Sequence, residues 1–359
     1  MKKKVIIALI VIFLFFALGG VVGFNYYKSC LRAVDKNDNS EVIFEIKSGT
    51  TTKTIMEDLY NRGLIKNKDI GYFYAKKYPN LNPQAGVYSL NKTMSVKDIL
   101  DTFNSGKVID DSIAVTFVEG KRITDYAKVI NKTFGYSEDE VLAVVADRAY
   151  LEELIEKYWF LTDDILNDKL YYALEGYLYP DTYAFKKDAS IKDIVEKMLG
   201  GMANKLSNLR KEFDESKYSV HEILTLASIV ELEGGNSKDR GGVAGVFYNR
   251  LNKGWSLGSD VTTYYGARVN MADRDLWQAE IEEVNGYNTR PASMAGKLPI
   301  GPICSPSLES IRATLEPEEH LYMYFVADKY GKTYFSYTGE EHQKTIDRLK
   351  SEGLWYVYE

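Results

Sequence analysis

Cysteine, histidine and proline are scarce in this chain of 359 residues. The two cysteines, Cys30 and Cys304, stand far apart and form no C-x-x-C. A disulfide-stapled fold is therefore excluded, and two unpaired thiols are expected. The three histidines, His221, His320 and His342, have no spacing that suits a metal. His221-Glu222 begins like a zinc-protease motif, but Thr225 stands where the second histidine belongs. No metal and no cofactor are expected. A G-x-S-x-G elbow and a phosphate-cradling G-x-x-x-x-G-K-[ST] are both missing, so a serine protease and a nucleotide hydrolase lack their machinery. Positive charge is in deficit as well. The formal net charge is −6, and three of the cations lie together at Lys2, Lys3 and Lys4. The basic footprint of a nucleic-acid binder is not there. Repeats and low-complexity tracts are also absent.

What is present begins at the N-terminus. Behind the three lysines, Val5 to Phe24 carries no charge. About 20 residues at ~1.5 Å each span a hydrocarbon core of ~30 Å. The positive-inside rule puts residues 1–4 in the cytoplasm and everything after Phe24 outside it. A cleaved signal peptide would have a shorter apolar region and an A-x-A-like site, and none is evident before Asn25. The expectation is a retained single-pass anchor in the cell membrane over 5–24, followed by a polar linker over 25–40.

From Glu41 the pattern becomes globular. Val42 to Ile46 and Ala85 to Leu90 read as strands, with helices near 50–62, 68–77 and 93–103. Residues 41–108 thus form a small α+β module. Ile113 to Val118 opens the next part as a strand. Thr124 is expected to cap a helix near Asp125. Strong helices follow at 219–232 and 241–252, short strands at 321–327 and 333–337, and a closing helix at 344–349. The fold class is α+β throughout, with a larger domain over 109–359.

One carboxylate stands out. On the helix after Ser219, Val220, Ile223, Leu224, Ala227 and Val230 share a face, and Glu231 falls four residues after Ala227 on that stripe. A carboxyl among apolar groups loses hydration, which disfavours its charged form, as a general acid requires. The bland alternative is an ion pair with Arg240 or Arg250. Glu233, roughly 200° further around the helix, is expected to face water. Tyr177, Tyr179 and Tyr183 around Pro180 fit a sugar-binding surface or, more simply, core packing.

Several blocks together resemble one family. They are Leu226-Ala227-Ser228-Ile229-Val230-Glu231 followed by Val243 to Leu251, and Glu175-Gly176 with Tyr179-Pro180-Asp181-Thr182-Tyr183. Asp260 with Thr262 and Tyr265-Gly266, Tyr287-Asn288-Thr289, Leu298-Pro299 with Gly301-Pro302-Ile303, and Tyr322 with Tyr324-Phe325-Val326 complete the set. In this order they resemble the YceG-like endolytic murein transglycosylases. Ser259 and Val261 depart from the family's residues beside Asp260. The resemblance implies a LysM-like module at 41–108 and a YceG-type catalytic domain over 109–359. It implies cleavage of the β-1,4 bond between N-acetylmuramic acid and N-acetylglucosamine in nascent peptidoglycan strands, leaving 1,6-anhydro-muramic ends. Glu231 would be the acid/base, with Asp260, Thr262, Tyr265, Asn288, Thr289 and Tyr179 contacting sugar. The partners it implies are glycan strands, the cytoplasmic membrane and peptidoglycan synthases of the elongation machinery. The competing expectation is a non-catalytic peptidoglycan-binding scaffold in the membrane.

Overall fold

The computed structural model describes residues 19–106, 109, 112–234, 236 and 238–355. Among them no helix is long and apolar enough to cross a membrane. The expected span over 5–24 lies mostly outside the described residues. The architecture is mixed α+β, with many helices and three two-stranded sheets. The chain divides into two compact units, residues 1–115 with 182–187, and residues 116–181 with 188–359.

In the first unit, β1 (Val42–Ile46) pairs antiparallel with β2 (Gly86–Leu90), Phe44 opposite Tyr88. Period-two alternation turns Phe44, Ile46, Tyr88 and Leu90 to one side. There they meet α1 (Thr52–Asn61), α2 (Lys68–Lys76) and α3 (Val96–Ser105) through Ile55, Leu59, Ala75, Ile99 and Phe103. Burying each large apolar side chain of this cluster stabilises the unit by roughly 1.5–3 kcal/mol. Ile43 and Val87 point the other way and pack with Ala184. Ala184 lies on β4 (Thr182–Lys186), which pairs with β3 (Ser112–Thr116). The stretch expected as a bare linker is tied to this unit. Cys30 is buried, Leu31 packs on the core, Asp35 N–H donates to Lys92 O at 3.1 Å, and Asp38 pairs with Lys92 at 2.9 Å.

The second unit is built around α9 (Val220–Glu233). Before it come α4 (Ile123–Phe134), α5 (Glu138–Ala146), α6 (Arg148–Lys157), α7 (Ile191–Leu206) and α8 (Arg210–Glu215). Arg122, not Thr124, is the N-cap of α4, so that helix starts earlier than the sequence suggested. Ser219 caps α9 in a reciprocal box with Glu222. Every residue from Ile223 to Glu231 is buried, the mark of a helix covered on all sides. Its cover is α10 (Arg240–Asn252), α11 (Asp260–Gly266) and α13 (Leu308–Leu315). The short α12 (Gln278–Glu282) interrupts the segment between α11 and α13. An antiparallel hairpin of β5 (Tyr324–Ala327) and β6 (Thr333–Ser336) follows, then α14 (Gly339–Ser351), capped by Thr338.

Candidate active site

The last turn of α9 carries two carboxyls with different surroundings. Glu231 is buried, but its company is polar rather than apolar. Arg240 Nη2 donates to Oε1 at 2.8 Å. Ser307 N–H at 2.8 Å, Ser307 Oγ at 2.5 Å and Ser310 Oγ at 2.8 Å all donate to Oε2. Each oxygen thus faces a group that can only donate, Arg240 on one side and the Ser307 amide on the other. Gly234 makes the arrangement possible. A Cβ there would come within 2.8 Å of Arg240 Cγ and 2.9 Å of Val230 O, so only glycine lets Arg240 fold back over the helix end.

Glu233 was expected in water, and here the structure corrects the sequence. Its carboxyl is partly buried and accepts a hydrogen bond from Ser259 Oγ at 2.6 Å. Helical spacing was right about direction, but the loop before α11 lies over that face. Burial pushes the Glu233 proton affinity above the usual carboxylate range, while Ser259 and the charges of Arg250 and Arg290 pull it partly back.

A network of short polar groups holds Ser259 in place. Ser259 N–H donates to Thr289 Oγ1 at 3.1 Å, Thr289 shares a 2.8 Å hydrogen bond with Thr262, and Thr262 Oγ1 donates to Ser259 O at 2.7 Å. Thr263 donates to Asn288 Oδ1 at 2.9 Å. The Asn288 amide in turn donates to the carbonyls of Ile281 at 3.0 Å and Glu283 at 2.7 Å. Asp260 starts α11, is exposed, and pairs with Arg290.

The sugar-contact residues expected from sequence therefore separate. Asp260 alone among them has an exposed side chain. Thr262, Asn288 and Thr289 are fully buried and spend their polar atoms inside the protein. Tyr265 is buried too, its hydroxyl donating to Glu175 at 3.0 Å, and its ring lies 4.7 Å from that of Tyr287. Tyr179 is buried, with the Lys205 ammonium 5.1 Å from its ring. Both tyrosines serve the core, where large aromatic faces bring most.

Sequence reading missed Glu233, Ser259, Ser307, Ser310 and Arg290. The signal for Glu233 was the second acid in Glu231-Leu232-Glu233. For Ser307 it was a serine placed to cap the helix that follows. His221 is hydrogen-bonded through both ring nitrogens. Nε2 donates to Ile300 O at 2.8 Å, which leaves Nδ1 to accept from Tyr177 OH at 2.8 Å.

Glu175 is a third buried carboxyl. It accepts from Ile123 N–H at 2.9 Å and from Tyr265, and burial pushes its pKa up to about 7. Beside it Gly176 adopts φ +80°, and a Cβ there would lie 2.4 Å from Pro302 Cβ. The Glu175-Gly176 turn and the 299–302 loop are thus fitted to each other, which explains why both blocks occur in one chain.

Comparison with known proteins gives the family. The sequence profile of the YceG-like family matches residues 44–348. An endolytic murein transglycosylase of Bacillus subtilis is 34% identical over 93% of this chain and 91% of its own length. An endolytic murein transglycosylase of Streptococcus pneumoniae is 30% identical over 96% of this chain, which spans 65% of that relative's length. The crystal structure of a YceG-like protein from Listeria monocytogenes superposes with a TM-score of 0.61 at 33% identity, covering 85% of this chain and 99% of that one. On the matched length and these identities, the chain belongs to the YceG-like family.

Proposed function

We propose that this protein is a peptidoglycan lytic transglycosylase that cuts glycan strands internally at the β-1,4 bond following N-acetylmuramic acid. The relatives' activity supports the reaction class. The observation that carries the chemistry is Glu233, a partly buried carboxyl with raised proton affinity, hydrogen-bonded to Ser259, which precedes the exposed Asp260 in the chain. We assign the acid's role to Glu233 rather than to Glu231. Glu231, held by four hydrogen bonds from α10 and α13, acts as the carboxylate anchor that fixes the end of α9. Glu233 would protonate the leaving oxygen, and the muramic C1 gains oxocarbenium character. The same carboxylate then takes the proton of that sugar's C6 hydroxyl as it attacks C1, closing a 1,6-anhydro ring. An internal nucleophile has a high effective concentration, so no second carboxylate has to position water. Asp260 is the proposed sugar contact, and Thr262, Asn288 and Thr289 set its position.

The rest of the reading follows from the chain's order. Residues 5–24 anchor the protein in the cell membrane with residues 1–4 inside. Residues 41–108 form a LysM-like module, and 109–359 act outside the cell near the peptidoglycan synthases of elongation. The test is digestion of uncrosslinked glycan strands with the full-length protein, followed by mass analysis of the ends. Anhydro ends, lighter by one water than reducing ends, are expected. Glu233→Gln should lower the rate by about 10²–10⁴-fold with the fold intact. If Glu233→Gln keeps its rate while a folded Glu231→Gln loses it, the proton carrier is Glu231. A wild-type protein that binds strands without cutting them would be the membrane scaffold instead.

A further inference from the structure

Two tryptophans of the second unit are exposed and yet held firmly. Trp277 is 66% exposed. The Arg274 guanidinium lies 4.1 Å from its ring centre, and Arg274 is itself clamped by both oxygens of Glu280 at 2.8 and 2.6 Å. The Trp277 amide donates to the same carboxylate at 2.8 Å. Trp255 is 42% exposed. Its ring meets Tyr324 edge-on at 6.1 Å, its N–H donates to Arg250 O at 2.8 Å, and its carbonyl accepts from Gly296 N–H at 2.9 Å. Exposed aromatic surface normally costs hydration, and fixing it costs entropy besides. Holding it rigid is useful where a ligand surface will cover it, because the ordering is then complete before binding.

Both tryptophans stand in stretches of chain that are hydrogen-bonded to the segment framing Glu233. Asn288 holds the carbonyls of Ile281 and Glu283, in the stretch that begins with Trp277. Thr289 holds Ser259, which holds Glu233. Pro291 O accepts from Ser256 Oγ at 3.3 Å, next to Trp255. Four consecutive residues, 288–291, thus link one exposed tryptophan to the carboxyl and the carboxyl to the other. Arg250 closes the second link. It lies over Tyr324, the ring that supports Trp255, and its charge is felt by Glu233.

We propose that Trp255 and Trp277 are sugar-stacking platforms on the two flanks of the Ser259–Glu233 pair, each receiving the apolar face of an N-acetylated hexopyranose. This rests on the glycan reading above. An enzyme that cuts within a strand has sugar on both sides of the broken bond, and one platform per flank holds both. Stacking on a fixed ring adds binding shared by ground and transition states, so it acts on KM and leaves kcat alone.

The test uses the full-length protein with uncrosslinked strands of alternating N-acetylglucosamine and N-acetylmuramic acid. Strand binding is followed by tryptophan fluorescence, and cleavage by release of new ends. Trp255→Ala and Trp277→Ala should each weaken binding and raise KM about threefold to tenfold, with kcat within about twofold of wild type. Trp255→Phe and Trp277→Phe should restore most of the loss. Unchanged binding in both alanine variants would overturn the proposal. So would a loss confined to one tryptophan, or a fall in kcat that phenylalanine does not repair. Strand binding that depends on both tryptophans in a protein without cleavage would uphold the platforms and remove the catalytic reading.

Discussion

Glu175 lies against Ile123, Tyr265 and the charge of Arg122, and it holds its proton up to about pH 7 because burial outweighs those partners. Its ordinary value is 4.5. A carboxyl with a raised folded pKa binds its proton more tightly folded than unfolded. Its contribution is therefore full below about 4.5 and is lost as pH rises through about 7. The loss amounts to ~3 kcal/mol. Glu175→Gln should flatten that slope: melting temperatures near wild type at pH 5 and above wild type at pH 8, read by thermal denaturation of the full chain. Ser259 makes the opposite adjustment at Glu233, since its hydrogen bond favours the charged form. Ser259→Ala should let Glu233 keep its proton to higher pH. The alkaline limb of the kcat/KM profile should then move upward, and an unmoved limb would disconnect Glu233 from proton transfer. The sequence led to the last turn of α9 and to Glu231, and the move to Glu233 proposed above rests on tertiary neighbours instead. Periodicity reports which way a side chain points along one helix. It is silent about Ser259, 26 residues away, and about the serines of α13 that make a polar nest for Glu231 on an apolar stripe.

At the level of elements, legibility followed length more than capping: the one cap expected, Thr124, is not used, and the pairs beginning at Ser137 and Ser190 went unread. Ser95, Ser137, Ser190 and Ser219 each form a reciprocal box with an acid three residues on, and all four helices begin where such pairs stand. Strands β1 and β2 were legible as short runs rich in β-branched and aromatic residues, apolar on both faces. α11 and α13 escaped: they have seven and eight residues, too few for a period to show against the polar residues around them. Yet α13 carries much of the site. Ser307 caps it, donates to Glu231, and accepts from Arg240 Nη1 at 2.7 Å. One hydroxyl serves all of these contacts. Ser307→Ala removes a cap worth ~1 kcal/mol and a hydrogen bond to a buried charge worth ~1.5–3 kcal/mol. Its unfolding midpoint in urea should fall accordingly with an unchanged slope.

Across the whole molecule, the stretch before the first strand has more to do than connect. Polar composition marked 25–40 as linker, but composition does not reveal that Leu31 and Cys30 are covered or that Asp38 meets Lys92. A chain beginning at residue 41 should therefore melt at a lower temperature in its first unit than one beginning at residue 25. Equal melting would show these contacts to be idle. The order of the chain through the two units has a consequence for synthesis. β3 is made early, but its partner β4 belongs to a segment that emerges only after α4, α5 and α6. Until residue 187 is available the first unit cannot finish, and the β3 edge stays open to any extended segment nearby. A ribosome stalled between residues 116 and 181 would hold an incomplete, edge-exposed intermediate, the kind of surface that holdase chaperones recognise.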